Sequence, residues 1–118
     1  MESQPISFTI SNEYRKEVCG WGNGYVAVPP NHPLHGVDFS SWEDDVPSLN
    51  IEREITWSRS AGSLKNEPTL PSDWWVIGFD TCYRRDNLET CPKEYVEELT
   101  EKLLQEVIGY KVPVIEGK

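Results

Sequence analysis

Residues 74–80 read Trp74-Trp75-Val76-Ile77-Gly78-Phe79-Asp80. Two tryptophans lead into a short apolar run that ends in a glycine, an aromatic ring and a carboxylate. Tyr83, Arg84, Arg85 and Asp86 follow closely. The apolar part reads as a buried central strand over residues 74–79. Successive side chains of a strand alternate between faces, so Trp74 and Trp75 point to opposite sides, and one leaves the main core unless both faces are covered. A polar cluster directly after a buried strand is a common place for a site in α/β and α+β proteins.

Outward from this strand, Ile6-Ser7-Phe8-Thr9-Ile10 alternates apolar and polar and reads as a half-buried strand, with a turn at Ser11-Asn12-Glu13. Gly20-Trp21-Gly22-Asn23-Gly24 is too rich in glycine for a helix interior. It reads either as a tight hairpin turn through Asn23-Gly24 or as a loop whose backbone amides touch a ligand. Tyr25-Val26-Ala27-Val28 reads as a strand that Pro29-Pro30 ends, because proline has no amide proton for a ladder. Residues 29–50 read as an irregular loop carrying His32, His35, Asp38, Phe39 and Trp42. Residues 51–58 alternate again, with Ile51, Arg53, Ile55 and Trp57 on one face. Residues 59–73 form a second loop.

A helix is expected over residues 92–108. Thr90 or Cys91 would cap it, Pro92 would take the first helical position, and Gly109 would form a left-handed C-terminal cap. Tyr95, Val96, Leu99, Leu103, Val107 and Leu104 form its apolar stripe, while Glu94, Glu97, Glu98 and Glu101 face water. Val112 to Ile115 is a candidate closing edge strand. Period-2 segments followed by one 3.6-period segment predict an α+β fold: an antiparallel sheet of four to six strands with one long C-terminal helix packed on it. The 118 residues make a single domain, residues 1–118, which buries roughly two-thirds of its unfolded surface.

The formal net charge is -9 and is spread evenly, with nine acids and four bases in residues 1–60 and eleven and seven in residues 61–118. That opposes direct binding to a nucleic-acid backbone, which needs a basic face. An acidic mimic of nucleic acid is the alternative to a merely solvated surface. The sequence shows no signal-peptide pattern and no apolar run of membrane length, so no membrane partner is expected. Three cysteines, Cys19, Cys82 and Cys91, without a CxxC read as thiols in a reducing cytoplasm.

The glycine segment is not a P-loop or dinucleotide fingerprint, since a strand rather than a helix follows it. His32-Pro33-Leu34-His35 together with Cys82 and Cys91 has the donor set of a zinc site, but histidines that order a loop are the expectation, and no metal or other cofactor is predicted. Asp80 suits capping of local amides, acceptance of ligand hydroxyls, or the role of a base. Arg84-Arg85 suits pairing with surface acids or holding an anionic ligand. No nucleophile–base order, HExxH or nucleophile elbow occurs, so no catalytic residue is assigned and the chain is expected not to be an enzyme.

Gly22-Asn23-Gly24-Tyr25-Val26, His32-Pro33-Leu34 with Gly36, Ile55-Thr56-Trp57 and the segment from Trp74 to Asp80 together resemble a group of small phage and prophage proteins of unassigned function. Those share a GNGYV…HPxxG…WWxGFD pattern and a C-terminal helix opening on a Tyr-Val pair, like Tyr95-Val96 here. The resemblance covers residues 20–108. Glu52-Arg53-Glu54 replaces glycines of the group, and Tyr83 replaces a histidine, while Asp86 is kept. The resemblance implies a phage accessory protein acting against host defence in the host cytoplasm. Sequestration of a nucleotide-type small ligand is the first expectation. An acidic, protein-binding inhibitor of a host defence protein, namely a defence nuclease as anti-CRISPR proteins target, and a small metal-independent hydrolase are the alternatives, and homo-oligomerisation stays open. The expected ligand-binding residues are Asn23, Tyr25, His32, His35, Trp75, Asp80, Tyr83, Arg84, Arg85 and Asp86. They are expected to converge where residues 22–24, 32–36 and 80–86 meet.

Overall fold

The computed structural model describes residues 4–12, 19–39, 49, 51, 55–63, 70–82 and 86–110. Strand β1 (Ile6–Ser11) runs antiparallel to β2 (Gly22–Val28). Strand β3 (Trp57–Ser60) is followed by a short 3-10 turn at Ala61–Ser63, then by β4 (Trp75–Phe79) and the helix α1 (Lys93–Gly109). The sheet order is β1-β2-β4-β3, and all three pairings are antiparallel. Among the described residues the predicted α+β architecture is therefore the observed one, with four strands and one C-terminal helix.

The two most apolar segments occupy the centre of the sheet, where both faces can be covered. In β2 and β4, Val26, Val28, Ile77 and Phe79 point to one side and meet Val96, Leu99, Leu103 and Val107 of α1. These eight side chains are essentially excluded from water, which is what the helical stripe of period 3.6 is for. On the other side, Ala27, Val76, Ala61 and Trp74 form a smaller cluster. Both faces at this end are covered, which is how two adjacent tryptophans are accommodated. Trp74 is buried in the smaller cluster, and half-buried Trp75 packs against the helix-side core and donates its indole N–H to the Val37 carbonyl at 2.9 Å.

The glycine segment is neither a hairpin turn nor a ligand loop: residues 22–28 are one continuous strand. Packing explains Gly24. A Cβ there would collide with the Thr100 hydroxyl and the Phe79 ring, so the missing side chain lets α1 lie close against β2. Thr100 is itself buried and returns its hydroxyl to the Val96 carbonyl at 2.6 Å, the usual i−4 solution for a helical threonine. Gly24→Ala should destabilise the protein by about 1–3 kcal/mol, the ordinary cost of overpacking a filled core. Chemical denaturation checks this, and an unchanged midpoint would mean that α1 does not lie where described.

Other boundaries move for local reasons. The strand expected at 51–58 is β3 at Trp57–Ser60. Ile51 and Ile55 pack against the helix-side core, whereas Trp57 lies in the smaller cluster, so these residues do not share a face. Residues 52–54 lie outside the described residues. Pro92, not Thr90 or Cys91, is the N-cap, in extended conformation. Gly109 is the last helical residue and has no left-handed backbone, because the chain leaves through Tyr110 at φ -67°. Of the residues expected in the second loop, 59 and 60 belong to β3 and 61–63 to the 3-10 turn, while 64–69 lie outside the described residues. The edge strand expected at 112–115 lies outside the described residues.

Candidate functional site

The two histidines and the strand-end aspartate sit at opposite ends of the sheet. Val28 pairs with Trp75 at one end, and Gly24 pairs with Phe79 at the other, about 13 Å away at the rise of a strand. At the first end, the His32 Nε2–H donates to the Val107 carbonyl at 2.9 Å, and its Nδ1 accepts the Leu34 amide at 3.0 Å. His32 thereby ties residues 29–37 to the helix C-terminus and seats Leu34 fully in the core. His35 donates to the Asp73 carbonyl at 2.6 Å and lies 6.1 Å from the Trp75 ring. His32, His35 and Trp75 thus order the loop after β2, and among the described residues 32–36 do not converge with 80–82 and 86.

The second end is a knot of internal bonds. The Asn23 amide donates to Asn12 Oδ1 at 3.3 Å, its Oδ1 accepts the Thr81 amide at 3.3 Å, and it also hydrogen-bonds the Tyr25 hydroxyl. Thr81 is buried and gives its hydroxyl to the Gly22 carbonyl at 2.6 Å, while its own carbonyl accepts the Gly20 amide at 2.7 Å. Asp80 accepts the Cys82 amide at 3.3 Å, the amide-capping role. Asp86 accepts the Cys91 thiol at 3.4 Å beside the start of α1. Tyr83, Arg84 and Arg85 lie outside the described residues.

The expectation of three thiols is overturned, because Cys19 and Cys82 form a disulfide and Cys91 keeps its thiol, buried. The physical cause is the pairing of residues 20–22 with Thr81, which brings the two Cα atoms to 4.4 Å, within bridging range. The zinc alternative falls with it. Cys82 is bonded to Cys19, and the histidines stand a strand length away.

The face of the sheet turned away from α1 carries what the sequence did not single out. The ladder sets Phe8 opposite Tyr25, Tyr25 opposite Gly78, and Gly78 opposite Trp57, so one row crosses all four strands. Phe8 and Tyr25 stack at 5.2 Å, and Tyr25 meets Trp57 edge-on at 5.3 Å. Gly78 makes the row continuous, since a Cβ there would strike the Tyr25 ring. The exposed Arg59 places its guanidinium 5.7 Å from the Trp57 ring. All three rings are half-buried: held in place, yet reached by solvent.

Burial, with the Asp80 charge adding and the Asn23 hydrogen bond opposing, holds the Tyr25 hydroxyl above the ordinary tyrosine value of 10.0. The folded protein therefore keeps this proton more firmly than the unfolded chain does. The resulting stability is complete below about pH 10 and is lost as pH rises through the raised value. Melting temperature followed upward from pH 9 should fall more steeply for the wild type than for Tyr25→Phe. Identical slopes would show that Tyr25 titrates as it does in water.

Of the expected ligand residues, Tyr25 is in the row, and Asn23 and Asp80 adjoin it. Phe8, Trp57 and Arg59 were missed. The period-2 pattern at 6–10 was the available signal, since it puts Ile6, Phe8 and Ile10 on one face. Comparison with known protein families, known proteins and solved structures finds no match to this chain. Among the described residues, no helix is long and apolar enough to cross a membrane.

Proposed function

We propose that this protein binds and sequesters a nucleotide-type small ligand on the sheet face turned away from α1, without turning it over. The observation that carries the proposal is the Phe8–Tyr25–Trp57 row with Arg59 beside it. Every nucleobase presents a π face, and stacking on one aromatic side chain contributes about 1–3 kcal/mol. Arg59 supplies a donor fork suited to a phosphate or a base edge. A long polyanion is disfavoured by the net charge of -9, whereas one nucleotide meets only the local field. Binding without turnover is the simpler chemistry, because both histidines are engaged with backbone carbonyls far from Asp80. The resemblance to small phage proteins supports a role against a host defence that signals through nucleotides, in the host cytoplasm.

A second account rests on the solvent face of α1, where Glu94, Glu97, Glu98 and Glu101 are exposed. Such a face complements a basic protein partner. Incubation with cyclic and ADP-ribose-type nucleotides, removal of unbound ligand, denaturation and analysis of what is released separates the accounts. Intact nucleotide recovered only after denaturation is the expected result. Altered nucleotide would make the protein a hydrolase, and recovery of none would favour the acidic helix face.

A further inference from the structure

We propose that the Cys19–Cys82 disulfide is a redox-operated clasp, opened in the folded protein by thiol exchange at Cys82. The proposal does not depend on the ligand row. Cys82 is exposed, whereas Cys19 and Cys91 are 2% and 1% exposed. An external thiolate therefore reaches the Cys82 sulfur first, and accessibility is a main determinant of exchange. With a dithiol reductant the step balances. One thiolate of the reductant attacks Cys82 Sγ and the bond to Cys19 breaks. The second thiolate then displaces Cys82 and closes the reductant's own disulfide. Two electrons and two protons pass to Cys19 and Cys82.

The position of the bond gives its opening a consequence. It fastens residues 80–82 to residues 19–22, and the same junction is held by the Gly20 amide on the Thr81 carbonyl and by the Thr81 amide on Asn23. Asn23 in turn touches the Tyr25 hydroxyl, so the clasp connects through two residues to the row on the sheet face. A third sulfur lies alongside. The Cys91 Cβ packs against Gly20, next in sequence to Cys19, and the Cys91 carbonyl accepts the Trp21 amide at 2.8 Å. Opening the clasp uncovers this buried thiol. In a reducing compartment the equilibrium position is open, and in an oxidising one closed.

The test uses the whole protein under native conditions with dithiothreitol as reductant. Thiol counting and amide hydrogen exchange are followed together, with the reduction rate measured over a series of low urea concentrations. Expected are a rise from no titratable thiol, with Cys91 buried, to three at a rate independent of urea, and exchange at Gly20 and Thr81 faster by tenfold or more. Amides of α1 around Leu99 and Leu103 should stay protected. Cys82→Ser should show the fast exchange without reductant. Reduction that accelerates with urea in step with global unfolding would show a structural staple and overturn the proposal. Unchanged exchange at Gly20 and Thr81 after complete reduction would overturn it equally.

Discussion

Replacing the disulfide by Cys19→Ala together with Cys82→Ser is expected to lower the unfolding free energy by about 4 kcal/mol. The bond joins residues 63 apart. Chain-entropy estimates place a loop of that length between the roughly 3 kcal/mol of a short loop and the nearly 5 kcal/mol of a 100-residue one. Domains of this size have about 5–15 kcal/mol in total, so the variant stays folded in buffer but unfolds at much lower denaturant. Alanine at Cys19 avoids burying a hydroxyl at a position closed to water. Guanidinium unfolding of the oxidised wild type and the variant checks the figure. A difference below about 1 kcal/mol would mean that the bond constrains little in the unfolded chain. The same loss should follow reduction of the wild type, which is compatible with a clasp that opens before the rest of the fold gives way.

Leu103→Ala is the second large effect, expected at about 2–5 kcal/mol. Leu103 has no exposed surface and sits in the cluster where α1 meets β2 and β4. Its truncation removes a buried side chain and leaves a cavity that close-packed neighbours fill only in part. Leu104 is half-buried at the edge of the same cluster, so Leu104→Ala should cost clearly less. Equal effects at the two positions in urea denaturation would put the helix in the wrong rotation.

The parts of the fold that were legible in the sequence are those governed by local period. Residues 74–79 and the apolar stripe from Val96 to Val107 announce a central strand and a packed helix, because burial on a known geometry imposes spacings that survive in one dimension. Gly24 was misread because its glycine answers to Thr100, 76 positions along the chain, and no local pattern encodes a helix crossing a strand. The Cys19–Cys82 pair was missed for the same reason: only the pairing of residues 20–22 with Thr81 brings the two together. His32 and His35 were read as site residues from their chemistry. Their partners are backbone carbonyls at Val107 and Asp73, which carry no sequence signature. The aromatic row depends on register. Phe8, Tyr25 and Trp57 are neighbours only because the ladder aligns them across Gly78, and a shift of one residue would put them on opposite faces.

The most direct test of the central claim is a calorimetric titration of the cyclic and ADP-ribose-type nucleotides into the wild type, Trp57→Ala, Arg59→Ala and Glu97→Gln. The account predicts that at least one nucleotide binds the wild type. It predicts that Trp57→Ala and Arg59→Ala each weaken that binding by more than tenfold, about 1.4 kcal/mol, and that Glu97→Gln on the far side of the helix leaves it unchanged. Binding indifferent to Trp57 and Arg59, or no binding by any nucleotide of the panel, would contradict it.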